Sequence, residues 1–207
     1  MNPTDQLRKI FEKHLPSPAI DYCLDLWLKI PFTFKVQKPR ATKLGDFRYH
    51  RDRKIQTITI NSDLNPYQFL QTYIHEIAHL HAFEQFGLGH PPHGLEWKKT
   101  FRTLMEPMLN DRIFPKDILI PLRNHMQNPP ASSSRDLFLR KEMSKYDSSS
   151  AAASDEIFLS DLMTGKQFIL SGRKFKKGET RRTRVLCEEV DSGKKFLVSS
   201  LAKIKPV

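Results

Sequence analysis

Tyr73-Ile74-His75-Glu76-Ile77-Ala78-His79-Leu80 decides the reading of this chain, because it sets H-E-x-x-H inside a stretch patterned as a long helix. Residues four apart share a helix face, so His75 and His79 can offer imidazole nitrogens to one metal ion while Glu76 stands beside it. The helix has good ends: Asn65 can cap it, Pro66 suits the first helical position, and Gly87 closes the run. Leu70, Tyr73, Ile74, Ile77 and Leu80 recur at helical spacing and predict a buried face, with the histidine pair on the other side. A bare H-E-x-x-H also arises by chance, and it is this helical setting that gives it weight.

A zinc ion held by protein nitrogens with one position open lowers the pKa of its water to about 7, and a neighbouring carboxylate can take the proton as a carbonyl is attacked. Two imidazoles do not complete such a site, so a third ligand must lie downstream. A histidine at position 85 would make one known arrangement, the metzincin pattern, but that position is Gln85. Glu96 and Glu106, on the following helical run, are acidic candidates. His93 is the better candidate, directly ahead of that run, and His90 is its nearest rival. Spacing does not choose between the two. For steadying a tetrahedral oxyanion, Tyr67, Tyr73 and Arg102 are available.

The pair His75-Glu76-Ile77-Ala78-His79 and His93-Gly94-Leu95-Glu96-Trp97 resembles the SprT-like metalloprotease family, whose pattern is H-E-x-x-H followed by H-G-x-x-W or H-G-x-x-F. Upstream, Arg40-Ala41-Thr42-Lys43-Leu44-Gly45-Asp46-Phe47-Arg48, then Ile58-Thr59-Ile60-Asn61 and Leu64, look like that family's basic segment and strand. The resemblance covers about residues 5 to 110. It implies zinc ligands His75, His79 and His93, one Zn2+ per chain, Glu76 as general base, and a protease acting on DNA-bound or DNA-crosslinked proteins. Bacterial members commonly end in a four-cysteine zinc ribbon. This chain has only Cys23 and Cys187, so that ribbon cannot be built.

A chain of 207 residues, 39% hydrophobic and 28% charged, has the length for one good core and a smaller second module. No apolar run is long enough to span a bilayer, and Met1-Asn2-Pro3-Thr4-Asp5 lacks the pattern of a signal peptide. Two separated cysteines fit a reducing compartment, so a cytoplasmic, and in a bacterium nucleoid-associated, protein is expected. The net charge of +11 favours polyanions such as DNA. A charge surplus serving only solubility is the plain alternative, but the cations cluster. Arg48, Arg51, Arg53 and Lys54 fall in one hairpin; Arg173, Lys174, Lys176, Lys177, Arg181, Arg182 and Arg184 fall in another. Phe168 and Phe175, interleaved with the second cluster, could stack on unpaired bases, although phenylalanines are more often core.

Along the chain, two helical stretches (5–14 and 17–28) precede strands around Phe32-Val36, Phe47-Tyr49 and Ile55-Ile60. The metal helices follow, then a helix over 115–126. Residues 128–154 carry Ser, Ala and Pro runs and read as a linker, with a short helix over 135–145. Residues 155–207 alternate as a small antiparallel β module. The expectation is an α+β zincin-like domain over 1–127, in which the strand around Ile55-Ile60 lines the cleft, followed by the linker and a basic β module. A rival of another class is a non-catalytic nucleic-acid-binding protein whose structural zinc is closed by a fourth ligand, His90 or His81.

Overall fold

In the computed structural model, which describes residues 2–40, 42–130, 136–147 and 155–207, the long helix α3 (Pro66–Phe86) is the axis of the first of two units. Asn65 accepts the Tyr67 and Gln68 N–H groups at its start, and Gly87 ends it at a φ of 67°, where a side chain would be strained. The expected apolar face is buried, and so are Phe69, Ala78 and Ala82. The helix is therefore core around most of its girth, not a surface helix with one stripe.

Helices α1 (Pro3–His14) and α2 (Ile20–Lys29) bring Phe11 and Cys23 against it. Phe11 meets Tyr73 edge-on at 5.0 Å, and the Tyr73 hydroxyl donates to the Cys23 carbonyl at 2.9 Å. Strands β1 (Thr33–Gln37), β2 (Gly45–Arg48) and β3 (Thr57–Asn61) form a mixed sheet in the order β1-β3-β2, with β1 parallel and β2 antiparallel to β3. This order corrects the expectation that the strand around Ile55-Ile60 lines the cleft. β3 is flanked on both sides, which is why its run Ile58-Thr59-Ile60-Asn61 is buried without alternation. β1 and β2 are the two edge strands, and β2 is the one that lines the cleft.

Helix α4 (Leu95–Met105) packs Trp97 and Phe101 into the core, and α5 (Lys116–Gln127) adds Ile118, Leu119, Leu122 and Met126. Within the stretch read as a linker, α6 (Leu137–Ser144) buries Leu139 and Met143 in the same core. The Asn65 side-chain amide donates to the Met143 carbonyl at 2.8 Å and to Asp147 at 2.7 Å. One residue thus caps α3 with its oxygen and fastens α6 with its nitrogen. The runs Ser132-Ser133-Ser134, Ser148-Ser149-Ser150 and Ala151-Ala152-Ala153 lie outside the described residues.

The second unit is an antiparallel sheet of β4 (Ile157–Phe158), β5 (Gln167–Leu170), β6 (Arg173–Arg181), β7 (Arg184–Glu189), β8 (Lys195–Ser199) and β9 (Lys203–Pro206), in the order β4-β9-β5-β6-β7-β8. Its core is Leu159, Phe168, Phe175, Val185, Cys187 and Ile204. Phe168 and Phe175 stack on each other at 5.6 Å inside that core, so neither offers a face to a base. No helix among the described residues is long and apolar enough to cross a membrane.

Candidate metal centre

One turn of α3 separates His75 from His79, and the connection after Gly87 returns the chain so that His93 meets them. Their Nε2 atoms stand 3.2 Å (His75 to His79), 3.1 Å (His79 to His93) and 3.4 Å (His93 to His75) apart. A tetrahedral ion with nitrogens at 2.0–2.1 Å requires separations of about 3.3 Å, so the three nitrogens fit a metal as they stand. Burial holds the His75 imidazole well below its ordinary range and lowers His79 to about 3, with the neighbouring histidines adding to the effect. Both are therefore neutral near pH 7, the form that binds a metal. Three neutral lone pairs converging on one point repel unless a cation lies among them.

The spacing had left His90, Glu96 and Glu106 open as third ligands. Only His75, His79 and His93 come together as a group able to hold a metal, among the described residues. His90 lines the same cavity but stands outside the group. His81, named with it as a fourth ligand for a closed site, stands outside as well. The His93 position is braced by Trp97, whose indole lies 4.7 Å from the rings of both His93 and His75.

Glu76 is buried, at 7% exposure, and β2 approaches it closely. Its Oε2 accepts the Phe47 N–H at 2.8 Å. Burial raises its carboxyl to about 8, against the opposing pull of the Phe47 hydrogen bond. Gly45 makes the approach possible, since a Cβ there would fall 2.6 Å from Glu76 Oε1 and 2.6 Å from Thr72 Cγ2. Neither Gly45 nor the Phe47 amide was singled out by motif reading. Their role depends on which strand forms the edge.

The histidines and Glu76 floor an open cavity of about 660 Å³, walled by residues 42–47 and Tyr49, by Gln71, Thr72 and Phe83 of α3, by Gly87, Leu88, His90 and Pro92, and by His125. Of the residues considered for an oxyanion, none lines it. The Tyr73 hydroxyl is spent on Cys23, Arg102 donates to the Gln127 carbonyl, and Tyr67 packs on Phe114 and Tyr146. His125, buried on α5, is the polar group that sequence reading missed on this wall.

The basic run of the second unit is divided by the alternation of β6. Lys177 is turned inward at 4% exposure, and its ammonium donates to the Ser160 and Leu162 carbonyls. It is a structural cation, not an available phosphate contact. Arg173 pairs with Glu189 at 2.5 Å and lies over the Phe175 and Phe196 rings. Lys176, Arg181, Arg182 and Arg184 are exposed, the last three at the β6–β7 turn, and Lys174 is half-buried. In the first unit, Arg48, Arg51, Arg53 and Lys54 are exposed along the β2–β3 connection.

Residues 28–117 match the model of the SprT-like family, a segment that holds all three histidines and Glu76. The chain is similar to Protein SprT of Glaesserella parasuis serovar 5 (strain SH0165), with 28% identity over 102 residues. That alignment covers 49% of this chain and 54% of the relative, so the two share about half their length. No solved structure matches the chain.

Proposed function

This chain belongs to the SprT-like family, and from that premise we propose that it is a zinc-dependent metallopeptidase of zincin type that cleaves DNA-bound or DNA-crosslinked proteins. The observation that carries the reading is the convergence of three neutral imidazole nitrogens beside a buried carboxylate, on the floor of an open cleft. A closed structural site would need a fourth protein ligand and would have no use for a carboxylate next to the metal.

His75, His79 and His93 would hold the ion. Zinc bound there supplies Lewis acidity and an activated water at neutral pH. With zinc bound, whose charge would draw the carboxyl back down from about 8, Glu76 would take the proton from the attacking water and pass it to the departing amine, with the Phe47 N–H fixing the direction of its carboxylate. The free edge of β2 holds an extended peptide by main-chain hydrogen bonds, which read backbone more than side chain. Loose selection of this kind calls for confinement by location. The exposed Arg181, Arg182 and Arg184, the arginines of the β2–β3 connection and the net charge of +11 support DNA as the tether, single-stranded DNA included.

The test is proteolysis of a DNA-binding protein by the zinc-loaded chain, with and without single-stranded DNA, beside Glu76→Gln. Cleavage that needs Glu76 and rises with DNA is expected. Equal cleavage by Glu76→Gln would remove the general-base assignment, and indifference to DNA would remove the tether.

A further inference from the structure

The cleft is chemically lopsided. Beside the N-terminal half of α3 its walls are mainly polar, Thr42, Lys43, Gln71 and Thr72, with Leu44 and Gly45 between them. Beside the C-terminal half they are mostly aromatic and aliphatic, with His90 among them. The Phe47 ring stacks on the His79 imidazole, 6.5 Å between centroids and 9° between planes. Phe83 follows at 6.1 Å from Phe47, and Tyr49 at 4.5 Å from Phe83. Leu88, 70% exposed, completes that end. Single exposed apolar side chains are ordinary. A contiguous apolar shelf that begins on a metal-binding histidine and lies inside a concave cleft is the usual form of a ligand subsite.

The direction of an occupant follows from β2. The Leu44 carbonyl accepts from the Asn61 N–H on the β3 side, whereas the Phe47 N–H faces Glu76. Residues 45, 47 and 49 therefore turn their main-chain groups away from β3, where the Phe47 N–H is taken by Glu76 and the remaining groups face the cleft. β2 runs along α3 in the same sense: Gly45 abuts Thr72 and Glu76, Phe47 reaches His79, and Tyr49 reaches Phe83. Antiparallel pairing, the more stable kind, makes an added peptide run the opposite way, from the Phe83 end towards the Thr72 end. Its residues ahead of the scissile bond then lie over the apolar shelf.

We propose that Phe47, Tyr49, Phe83 and Leu88 form a subsite for a bulky apolar side chain, aromatic or leucine-like, within two residues on the N-terminal side of the scissile bond. The inference rests on the peptidase reading of the cleft and adds a substrate class to it. Polar walls at the other end impose no matching demand on the C-terminal side.

The experiment uses the full zinc-loaded chain and unstructured peptides that differ at one position N-terminal to the cleaved bond, Phe or Leu against Gly or Ser, with a matched series on the C-terminal side. An apolar pocket discriminates by roughly tenfold or more per group filled. At least about a tenfold preference in kcat/KM is therefore expected in the first series, reduced to about twofold in Tyr49→Ser and Leu88→Ser with zinc content unchanged. Glu76-dependent cleavage without that preference, or with the preference in the C-terminal series, overturns the subsite and leaves the peptidase reading standing. If wild type cleaves nothing, the peptidase reading falls. Anisotropy of the same labelled peptides on Glu76→Gln then decides the subsite: tighter binding of the Phe peptide that is lost in Tyr49→Ser upholds it, and equal binding overturns it.

Discussion

The Glu76 carboxyl lies 2.8 Å from the Phe47 N–H, so the acid beside the three converging histidines is held by the main chain of the edge strand β2. The cleft's floor and its upper rim are thereby one hydrogen-bonded piece. A shift of β2 would move Glu76 and the rim of the cleft together.

Gly45→Ala tests that join. The added methyl would meet Glu76 and Thr72 at 2.6 Å, and neither can retreat freely from a packed helix. Overpacking of this kind costs about 1–3 kcal/mol. Lower thermal stability, retained zinc and a fall in peptide hydrolysis of at least about tenfold are expected, measured by melting, metal analysis and kcat. Full activity would show that β2 does not govern the placement of Glu76.

Removing ligands separates His93 from His90. His93→Ala should lose most of the zinc that wild type carries after purification, and His90→Ala should keep it, because His90 stands outside the converging group. Metal analysis by mass spectrometry reads this directly. Equal zinc in His93→Ala and wild type would sink the three-histidine site.

The metal-free protein should show Glu76 in its pH dependence. Burial raises this carboxyl from an ordinary 4.5 to about 8, so its neutral form suits the fold. Its contribution is complete below about 4.5 and is lost as pH rises through about 8, on the order of 5 kcal/mol at most. His75 and His79, lowered by burial, act in the opposite sense: they favour the fold above about 6.5 and weaken it as pH falls. They do so equally in wild type and Glu76→Gln. Chelator-treated Glu76→Gln should therefore melt higher than wild type above pH 8, with the gap closing towards pH 4.5. A constant gap would mean that Glu76 is not buried as described.

In the second unit, two kinds of cation should respond differently. Neutralising Arg181, Arg182 and Arg184 together should weaken DNA binding and flatten its salt dependence while leaving the melting temperature nearly unchanged. Lys177→Met should instead cost about 1–3 kcal/mol of stability, because two part-buried carbonyls lose the donor that the buried Lys177 supplies. DNA affinity that is unaltered by the triple change at two salt concentrations would end the proposed role of that turn.

The sequence by itself determined α3 and its caps, and made His75, Glu76 and His79 candidates for a metal site, since helical periodicity and an i, i+4 pair are local properties of the chain. It also made His93 a candidate and implied that choice by family resemblance. Bringing His93 within 3.4 Å of the other two nitrogens was the work of the 87–94 connection. Strand pairing is not local, and the rest turned on it. The tertiary structure decided that β3 is central and that β2 is the edge strand beside α3, which puts Gly45 and Phe47 on Glu76 and opens the aromatic shelf. It withdrew Tyr73 and Arg102 from the cleft. It also folded Leu139 and Met143 into the core from a stretch whose composition reads as linker, and turned Lys177 inward from a run that reads as uniformly basic. A strand sends alternate side chains to opposite faces. Which face is interior is settled only when the sheet meets the rest of its own core.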